Sequence, residues 1–458
     1  MIPSTPTQIG LAVVELARDG RFAEIRDLFT PQLRPMVAPE VLQAAWVAEL
    51  ERRGPVTSVG EPVSEPAGAG MVVVKVAILC EHGALTVVVS VTEAGQLAGI
   101  QLAPPEAAEP TVPWAPPAYA DPTAFDEQDV TVGAGPLAVP GTLSLPRRPG
   151  PHPAVVLLGG SGPLDRDETI GRNKPLKDLA WGLATYGVAV LRFDKVTFAH
   201  PTEVKQAAGF TVADEYVPHA AAAIILLRRH PGVDAERVFL LGHSLGGTVA
   251  PRVAAAEPSV AGLVLLAGGA EPLQWAMVRQ VRYLASLDPE TAAASAPGIE
   301  RLVEQARRVD SEALSASTPS SELPLGVPAA YWLDLRAYDP VAVAASLERP
   351  ILLVQGGRDY QATVEDDLGR WKAGLAGRPD VTVHVYPSDN HLFFPGSGPS
   401  SPRTRFAGRA ATRSASTCAS CAWRRRRNSI AAKASATCAW ARWRPGTTTI
   451  CSPSVRCA

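Results

Sequence analysis

The sequence predicts an α/β chain: a mostly parallel eight-stranded sheet carrying an inserted helical cap, preceded by a small α+β accessory domain. Three observations predict it. From residue 127 onward, short continuous Val/Leu/Ile runs alternate with amphipathic helical stretches, as in strands covered on both faces. A Pro- and Ala-rich stretch, APPEAAEPTVPWAPPAYADP, separates that region from the first hundred residues and reads as a stiff, extended linker over 105–126. Between Ala267 and Pro350 lie roughly eighty residues that no single crossover helix needs.

The bulk numbers agree with a soluble globular protein of two or three domains. The chain has 458 residues, 46% hydrophobic and 19% charged. Its longest apolar runs, such as 154–158 and 261–267, are far shorter than the ~20 residues of a membrane span. The start, MIPSTPTQIG, has neither a basic n-region nor an apolar h-region, so a cytoplasmic address is expected. Charge and cysteine are both lopsided. Residues 401–458 hold 12 of the 43 basic groups and no acid, which leaves 31 basic against 45 acidic groups in the body. Only Cys80 lies in the body; Cys418, Cys421, Cys438, Cys451 and Cys457 lie in the tail. A body with one thiol does not rely on disulfides, which suits a reducing compartment.

The elements follow in order. Residues 1–104 form the accessory domain. Segments 9–16, 22–28 and 41–51 carry apolar residues at helical spacing. MVVVKVAILC, LTVVVSV and LAGIQL then follow as an antiparallel meander, separated by EHGA and TEAGQ. In the region 127–400 the strands are DVTVGA, GTLSLP, AVVLLGG, VAVLRFD, VFLLGH, AGLVLLAG, PILLVQGG and VTVHVYP, the first two close enough to form an edge hairpin. Helices between them include 174–186, 213–229 and 245–255. The surplus segment, about 270–348, is rich in Trp275, Met277, Tyr283, Tyr331 and Trp332 and reads as a cap over the C-terminal edge of the sheet; an ordinary packing extension is the alternative.

Chemistry enters at Gly242-His243-Ser244-Leu245-Gly246, a G-x-S-x-G that ends a buried strand and opens a helix. That context is a nucleophile elbow: a turn this tight strains the serine backbone, and glycines let the adjoining chain pass without Cβ clashes. A serine hydroxyl needs a base. Among eight histidines, His384 alternates within a strand, His219 and His230 belong to a helical stretch, and His243 packs beside the elbow. His391 sits in SDNHLFFPG, just after the last strand, where a loop can reach over the sheet edge. Asp359, in PILLVQGGRDY, ends a strand and is the candidate orienter of that imidazole; Asp366 and Asp367 lie where a helix start favours acids. The order Ser244, Asp359, His391 is that of the α/β-hydrolases. Donors for an oxyanion would be the backbone N–H of Leu245 and that of Ser161 in LLGGSGPLDRDE. No Walker Lys-Ser/Thr follows those glycines, which disfavours a phosphate cradle.

GGSGPLDRDETIGRNKPLKDLAWGLATYGVAVLRFDK, VFLLGHSLGG, LVQGGRD and DNHLFF together resemble bacterial α/β-hydrolases of the dienelactone-hydrolase and cinnamoyl-esterase kind. Residues 8–104 resemble the N-terminal domain of unknown function found in a subgroup of them. The resemblance implies the α/β-hydrolase fold and a serine hydrolase acting on carboxylic esters, with Ser244 as nucleophile, Asp359 as acid, His391 as base, and Ser161 and Leu245 as oxyanion donors. Two departures stand out. Gly159 occupies a position where many relatives have His, and dienelactone hydrolases proper use a cysteine nucleophile.

The resulting expectation is ester cleavage through an acyl-enzyme, with no metal or organic cofactor, a small-molecule ester as the partner, and neither nucleic acid nor membrane. A peptidase, an acyltransferase or thioesterase on the same triad, and an inert binding scaffold are the alternatives. The tail 401–458 fits none of this. It reads as a nucleic-acid or anionic-surface arm, as a metal site at Cys418 and Cys421, or as out-of-frame translation after about residue 402; the simultaneous change in charge, cysteine usage and periodicity favours the last.

Overall fold

The computed structural model describes residues 5–401, apart from 32, 35–36, 68–70, 104–113, 171–172 and 288. The basic tail from 402 and the first half of the Pro-rich stretch therefore lie outside the described residues. The chain divides into two compact units, Met1–Val112 and Pro113–Ala458.

In the first unit, helices α1 (Pro6–Arg18), α2 (Phe22–Asp27) and α3 (Pro39–Arg53) precede strands β1 (Val56–Val59), β2 (Val63–Ala67), β3 (Met71–Cys80), β4 (Gly83–Val91) and β5 (Leu97–Ala103). A capping box between Thr5 and Gln8 starts α1. Strands β3, β4 and β5 form the expected antiparallel meander. Alternate residues Val74, Val76 and Ile78 of β3 and Leu85, Val87 and Val89 of β4 share a core with Ile9, Val13 and Val14 of α1. Strands β1 and β2, which the sequence reading does not anticipate, pair antiparallel with the two ends of β3. They are four and five residues long and bury no residue fully, too short for a period-2 signal; Pro66 is tolerated at such an edge.

The second unit holds β6 (Phe125–Val132), β7 (Val139–Pro146), β8 (His152–Leu158), β9 (Ala189–Phe193), β10 (Val233–His243), β11 (Leu263–Leu266), β12 (Ile351–Gly356) and β13 (Val381–Tyr386), one for each expected run. They form one eight-stranded sheet in the order β13-β12-β11-β10-β8-β9-β7-β6. Pairing is parallel from β9 to β13, and β7 runs antiparallel to both β6 and β9, so the edge hairpin is present.

Helix α4 (Pro175–Thr185) links β8 to β9; α5 (Val196–Ala199), α6 (Pro201–Gln206) and α7 (Val212–Arg229) link β9 to β10; α8 (Leu245–Ala256) links β10 to β11. The insertion between β11 and β12 contains α9 (Leu273–Ser286), α10 (Pro289–Asp310), α11 (Ala329–Ala337) and α12 (Pro340–Ser346), and α13 (Gly369–Gly374) precedes β13. One sheet face packs on α7, α8 and α13 through residues such as Val156, Leu240, Ile224, Val249 and Trp371, with Ala344 of α12 in the same core. The opposite face packs on α4 through Leu176 and Ala180. Val309, Leu323 and Trp332 form a separate small core inside the insertion. Residues 114–124, expected as extended linker, lie against α4: Trp114 donates to Asp178 (2.8 Å) and meets Trp181 edge-on, and the Asp121 N–H donates to Thr185. Among the described residues no helix is long and apolar enough to cross a membrane.

Candidate active site

The parallel order puts the loops after β8, β10, β12 and β13 at one edge of the sheet, the carboxyl edge where α/β sheets place their ligands. The β10 loop lies between the β8 loop on one side and those of β12 and β13 on the other.

Ser244 joins β10 to α8 at φ 54°, ψ −122°, a backbone region that costs a non-glycine residue about 1–3 kcal/mol. Two bonds hold it there: its N–H donates to the Leu266 carbonyl (2.9 Å), and its own carbonyl accepts from Thr248 (3.0 Å). The glycines of the motif are steric necessities. A Cβ on Gly242 would lie 2.1 Å from the Gly246 oxygen, and one on Gly246 would lie 2.6 Å from the carbonyl oxygens of Leu158 and Gly159. Leu245 is the first residue of α8, where a helix leaves its N–H without an intrahelical acceptor.

Asp359 is buried just past β12 and accepts four hydrogen bonds. Oδ1 takes the N–H groups of Gln361 (2.8 Å) and Ala362 (3.1 Å). Oδ2 takes Gln355 Nε2 (3.1 Å) and His391 Nδ1 (2.7 Å). A carboxylate only accepts, so Nδ1 of His391 carries the proton and Nε2 is left as the basic nitrogen. The His391 loop crosses β12 closely: a Cβ on Gly356 would lie 2.5 Å from the Asn390 oxygen. Asp367, read from the sequence as a helix-start acid, is buried. It accepts from the N–H groups of Ala270, Glu271 and Thr363 and from Arg279, whose guanidinium also reaches the carbonyls of Tyr360 and Gln361. Arg279 belongs to α9, so the insertion lies over the carboxyl end of β12.

On the other flank, the Gly160 carbonyl accepts from Lys195 Nζ (2.8 Å) and from Tyr216 hydroxyl (2.7 Å). A trans peptide directs the next N–H opposite its carbonyl, so that of exposed Ser161 points away from Lys195. Gly160 lies against the nucleophile candidate: a Cβ there would sit 3.2 Å from Ser244 Cβ. Lys195 and Tyr216 are buried. Burial pushes the Lys195 ammonium below the ordinary lysine value, against the pull of Glu215 at 2.8 Å, and pushes the Tyr216 phenol well up, so Tyr216 stays a neutral donor. The loop is braced farther along by Arg166 to Asp194 (2.9 Å) and by Asp167 to Arg192 (2.8 Å) and Lys174 (2.9 Å).

Ser244, Asp359, His391, Leu245 and Ser161 thus all lie at one sheet edge, with Asp359 and His391 in direct contact. Sequence reasoning missed Lys195, Tyr216 and Glu168. Glu168 is fully buried and accepts the Gly160 N–H at Oε1 (3.0 Å), the same oxygen that faces His243 Nδ1 at 2.8 Å. The one available hint was the density of charge in DRDE and RFDK, both beside strands that read as buried.

A family model described as serine aminopeptidase, S33, matches residues 169–395. Esterase EstD of Thermotoga maritima is 38% identical over 323 residues, covering 70% of this chain and 72% of that protein. 2,6-Dihydropseudooxynicotine hydrolase of Paenarthrobacter nicotinovorans is 29% identical over 139 residues, 30% of this chain and 34% of that one. Among solved structures, an esterase from Pyrococcus furiosus aligns at 18% identity over 62% of this chain and 91% of that chain, with a TM-score of 0.40. With 38% identity to EstD over 70% of this chain and 72% of that protein, the chain belongs to the α/β-hydrolase family of serine hydrolases.

Proposed function

We propose that the protein hydrolyses small carboxylic esters through an acyl-enzyme formed on Ser244. In this reading His391 Nε2 takes the serine proton as the hydroxyl attacks the ester carbonyl. The backbone N–H groups of Leu245 and Ser161 receive the oxyanion, and the resulting imidazolium returns its proton to the leaving alcohol. Water, activated by the same nitrogen, then clears the acyl group. Asp359 fixes the tautomer and stabilises the imidazolium. The observation that carries the reading is the 2.7 Å bond from His391 Nδ1 to a buried carboxylate held by three other donors, at the edge where the strained Ser244 turn stands.

The description of the matching family favours one rival, an aminopeptidase. Such an enzyme needs an unpaired anion for the substrate ammonium. The acids named at this site are engaged already: Glu168 with His243, Glu215 with Lys195, Asp359 with His391 and Asp367 with Arg279. Esters and aminoacyl p-nitroanilides offered side by side separate the two; faster turnover of the anilides would reject the esterase reading. The triad itself is tested by Ser244→Ala, which should lower kcat on p-nitrophenyl acetate by about 10⁶-fold and abolish labelling by a fluorophosphonate. Undiminished turnover would reject it. A cytoplasmic site of action belongs to the same proposal; it is supported by the buried free thiol of Cys80 and tested by cell fractionation.

A further inference from the structure

Glu168 and His243 take no part in the reaction as proposed, yet they lie buried at its centre, 2% and 4% exposed. Glu168 also adopts φ 55°, a left-handed conformation that a non-glycine residue keeps only where its surroundings require it. The bonds explain the requirement. Glu168 Oε1 holds the Gly160 N–H at 3.0 Å and faces His243 Nδ1 at 2.8 Å. On the far side of the imidazole, His243 Nε2 lies 3.0 Å from the carbonyl oxygen of His391, and the two histidine rings are 4.8 Å apart between centroids. His243 immediately precedes Ser244. One continuous chain of bonds, Gly160 to Glu168 to His243 to His391, therefore joins the loops on both flanks of the nucleophile.

The protonation state follows from donor and acceptor chemistry. A carbonyl oxygen can only accept, so Nε2 of His243 donates. Nδ1 faces a carboxyl oxygen that already receives the Gly160 N–H. A proton on the other oxygen, Glu168 Oε2, would have no acceptor, because that atom is buried without a partner among the described residues. A proton on Oε1 would leave Gly160 only a weakly accepting hydroxyl oxygen, whereas the ionised carboxylate accepts strongly from both Gly160 and Nδ1; the two short contacts to Oε1 thus fit an ionised Glu168 with both nitrogens of His243 donating. Burial opposes the charge on Glu168, but His243 and the Gly160 N–H hold its carboxyl below the ordinary range. The titratable groups around this pair include His391, from the loop after β13, with Asp359 behind it, and Lys195, after β9, whose ammonium feels the Glu168 carboxylate.

We propose that Glu168 and His243 form a buried carboxylate–imidazolium strut that sets the distance and angle between the His391 loop and the oxyanion loop around Ser244. Both are positioning residues. The proposal rests on the reading of Ser244 and His391 given above.

Two measurements on the full chain test it. Glu168→Gln is nearly isosteric and keeps an acceptor for Gly160, but it removes the countercharge. His243 then gives up a proton and with it one of its two donated bonds. Kcat on p-nitrophenyl acetate should fall about 10- to 100-fold, the penalty of a misplaced reacting group, while KM stays close to that of the wild type. In ¹⁵N-histidine-labelled wild-type protein, two imidazole N–H signals that vanish in His243→Asn should persist at about pH 8, where an ordinary histidine is neutral. A single N–H signal for His243, or wild-type kcat in Glu168→Gln beside a dead Ser244→Ala, would overturn the strut alone. Turnover surviving in Ser244→Ala would instead overturn the triad and leave the ¹⁵N result to judge the strut.

Discussion

On one flank of Ser244, residues 159–168 are fixed by side chains from distant parts of the chain: Lys195, Tyr216, Arg192 and Asp194, with Glu168 folded back from within the loop. On the other flank, Asp359 and His391 are fixed mainly by backbone. Asp359 takes two main-chain N–H groups, the Arg358 N–H donates to the Asp389 carbonyl, and Gly356 admits the His391 loop. The first arrangement buries several ionised groups and depends on each keeping its partner. In the second, two of the four donors to the Asp359 carboxylate are peptide groups, which substitution of side chains cannot remove. The nucleophile stands between a flank that is electrostatically tuned and a flank that is sterically built.

The largest effect that bears on this contrast is chemical. Asp359→Asn keeps the shape of the sterically built flank but offers His391 an amide, which can donate and so permits the wrong tautomer. Kcat should fall about 10⁴-fold with little loss of Tm. A drop of less than tenfold would show that the orientation of His391 comes from its loop rather than from Asp359.

Next in size is a break on the tuned flank. Lys195→Met leaves Glu215 buried without its cation and the Gly160 carbonyl without one of its two donors. Removing one member of a buried pair costs about 3–5 kcal/mol, read by urea denaturation. Replacing both members, as Lys195→Met with Glu215→Leu, should recover most of that stability without recovering kcat. Recovery of both would mean that Lys195 balances charge and has no part in orienting the Gly160–Ser161 peptide.

The same contrast governs what the sequence disclosed. The elbow was legible because its demands are local: a turn that packs Gly242 against Gly246 leaves a signature within five residues. Asp359 and His391 were legible because strand ends are: they stand three and five residues past the ends of β12 and β13. The inner strands β8 to β12 could be read from their unbroken apolar runs, since burial on both faces leaves no alternation to misjudge, whereas the exposed edges β6 and β13 interleave apolar with polar residues instead. Lys195, Tyr216 and Glu168 were not legible. Each acts across 8 to 56 residues of chain on a backbone group, and a peptide carbonyl leaves no mark in a sequence. Asp167 and Arg192 resemble solvated charges until their partners are known, and β1 and β2 are too short to show a period.

Acid should find the tuned flank first. Burial opposes ionisation of Glu168, Asp167 and Glu127, yet His243 for the first, Arg192 and Lys174 for the second, and Arg192 for the third hold all three carboxyls below their ordinary values. Between those depressed values and the ordinary carboxylate range the unfolded chain binds more protons than the folded one. Stability therefore rises with pH across that window, is complete above about pH 4.5, and is lost as pH falls through the folded values. Urea midpoints taken from about pH 3 to pH 7 should show this slope, and Glu168→Gln should make it shallower. An unchanged slope in the variant would remove Glu168 from the account.

The smallest effect belongs to the sterically built flank. Among the described residues Gln355 is the one side chain besides His391 that donates to Asp359, and its amide also reaches the carbonyls of Ala362 and Gly356. Gln355→Leu removes one of four bonds to the carboxylate and leaves both peptide donors and His391 in place. A hydrogen bond to a charged group contributes about 1.5–3 kcal/mol, so stability should fall by roughly that amount. Kcat should fall no more than about tenfold, equivalent to ~1.4 kcal/mol, because the two N–H groups still aim Oδ2 at His391. A loss of the size seen for Asp359→Asn would mean that side chains hold this flank too, and the contrast between the two sides of Ser244 would not survive it.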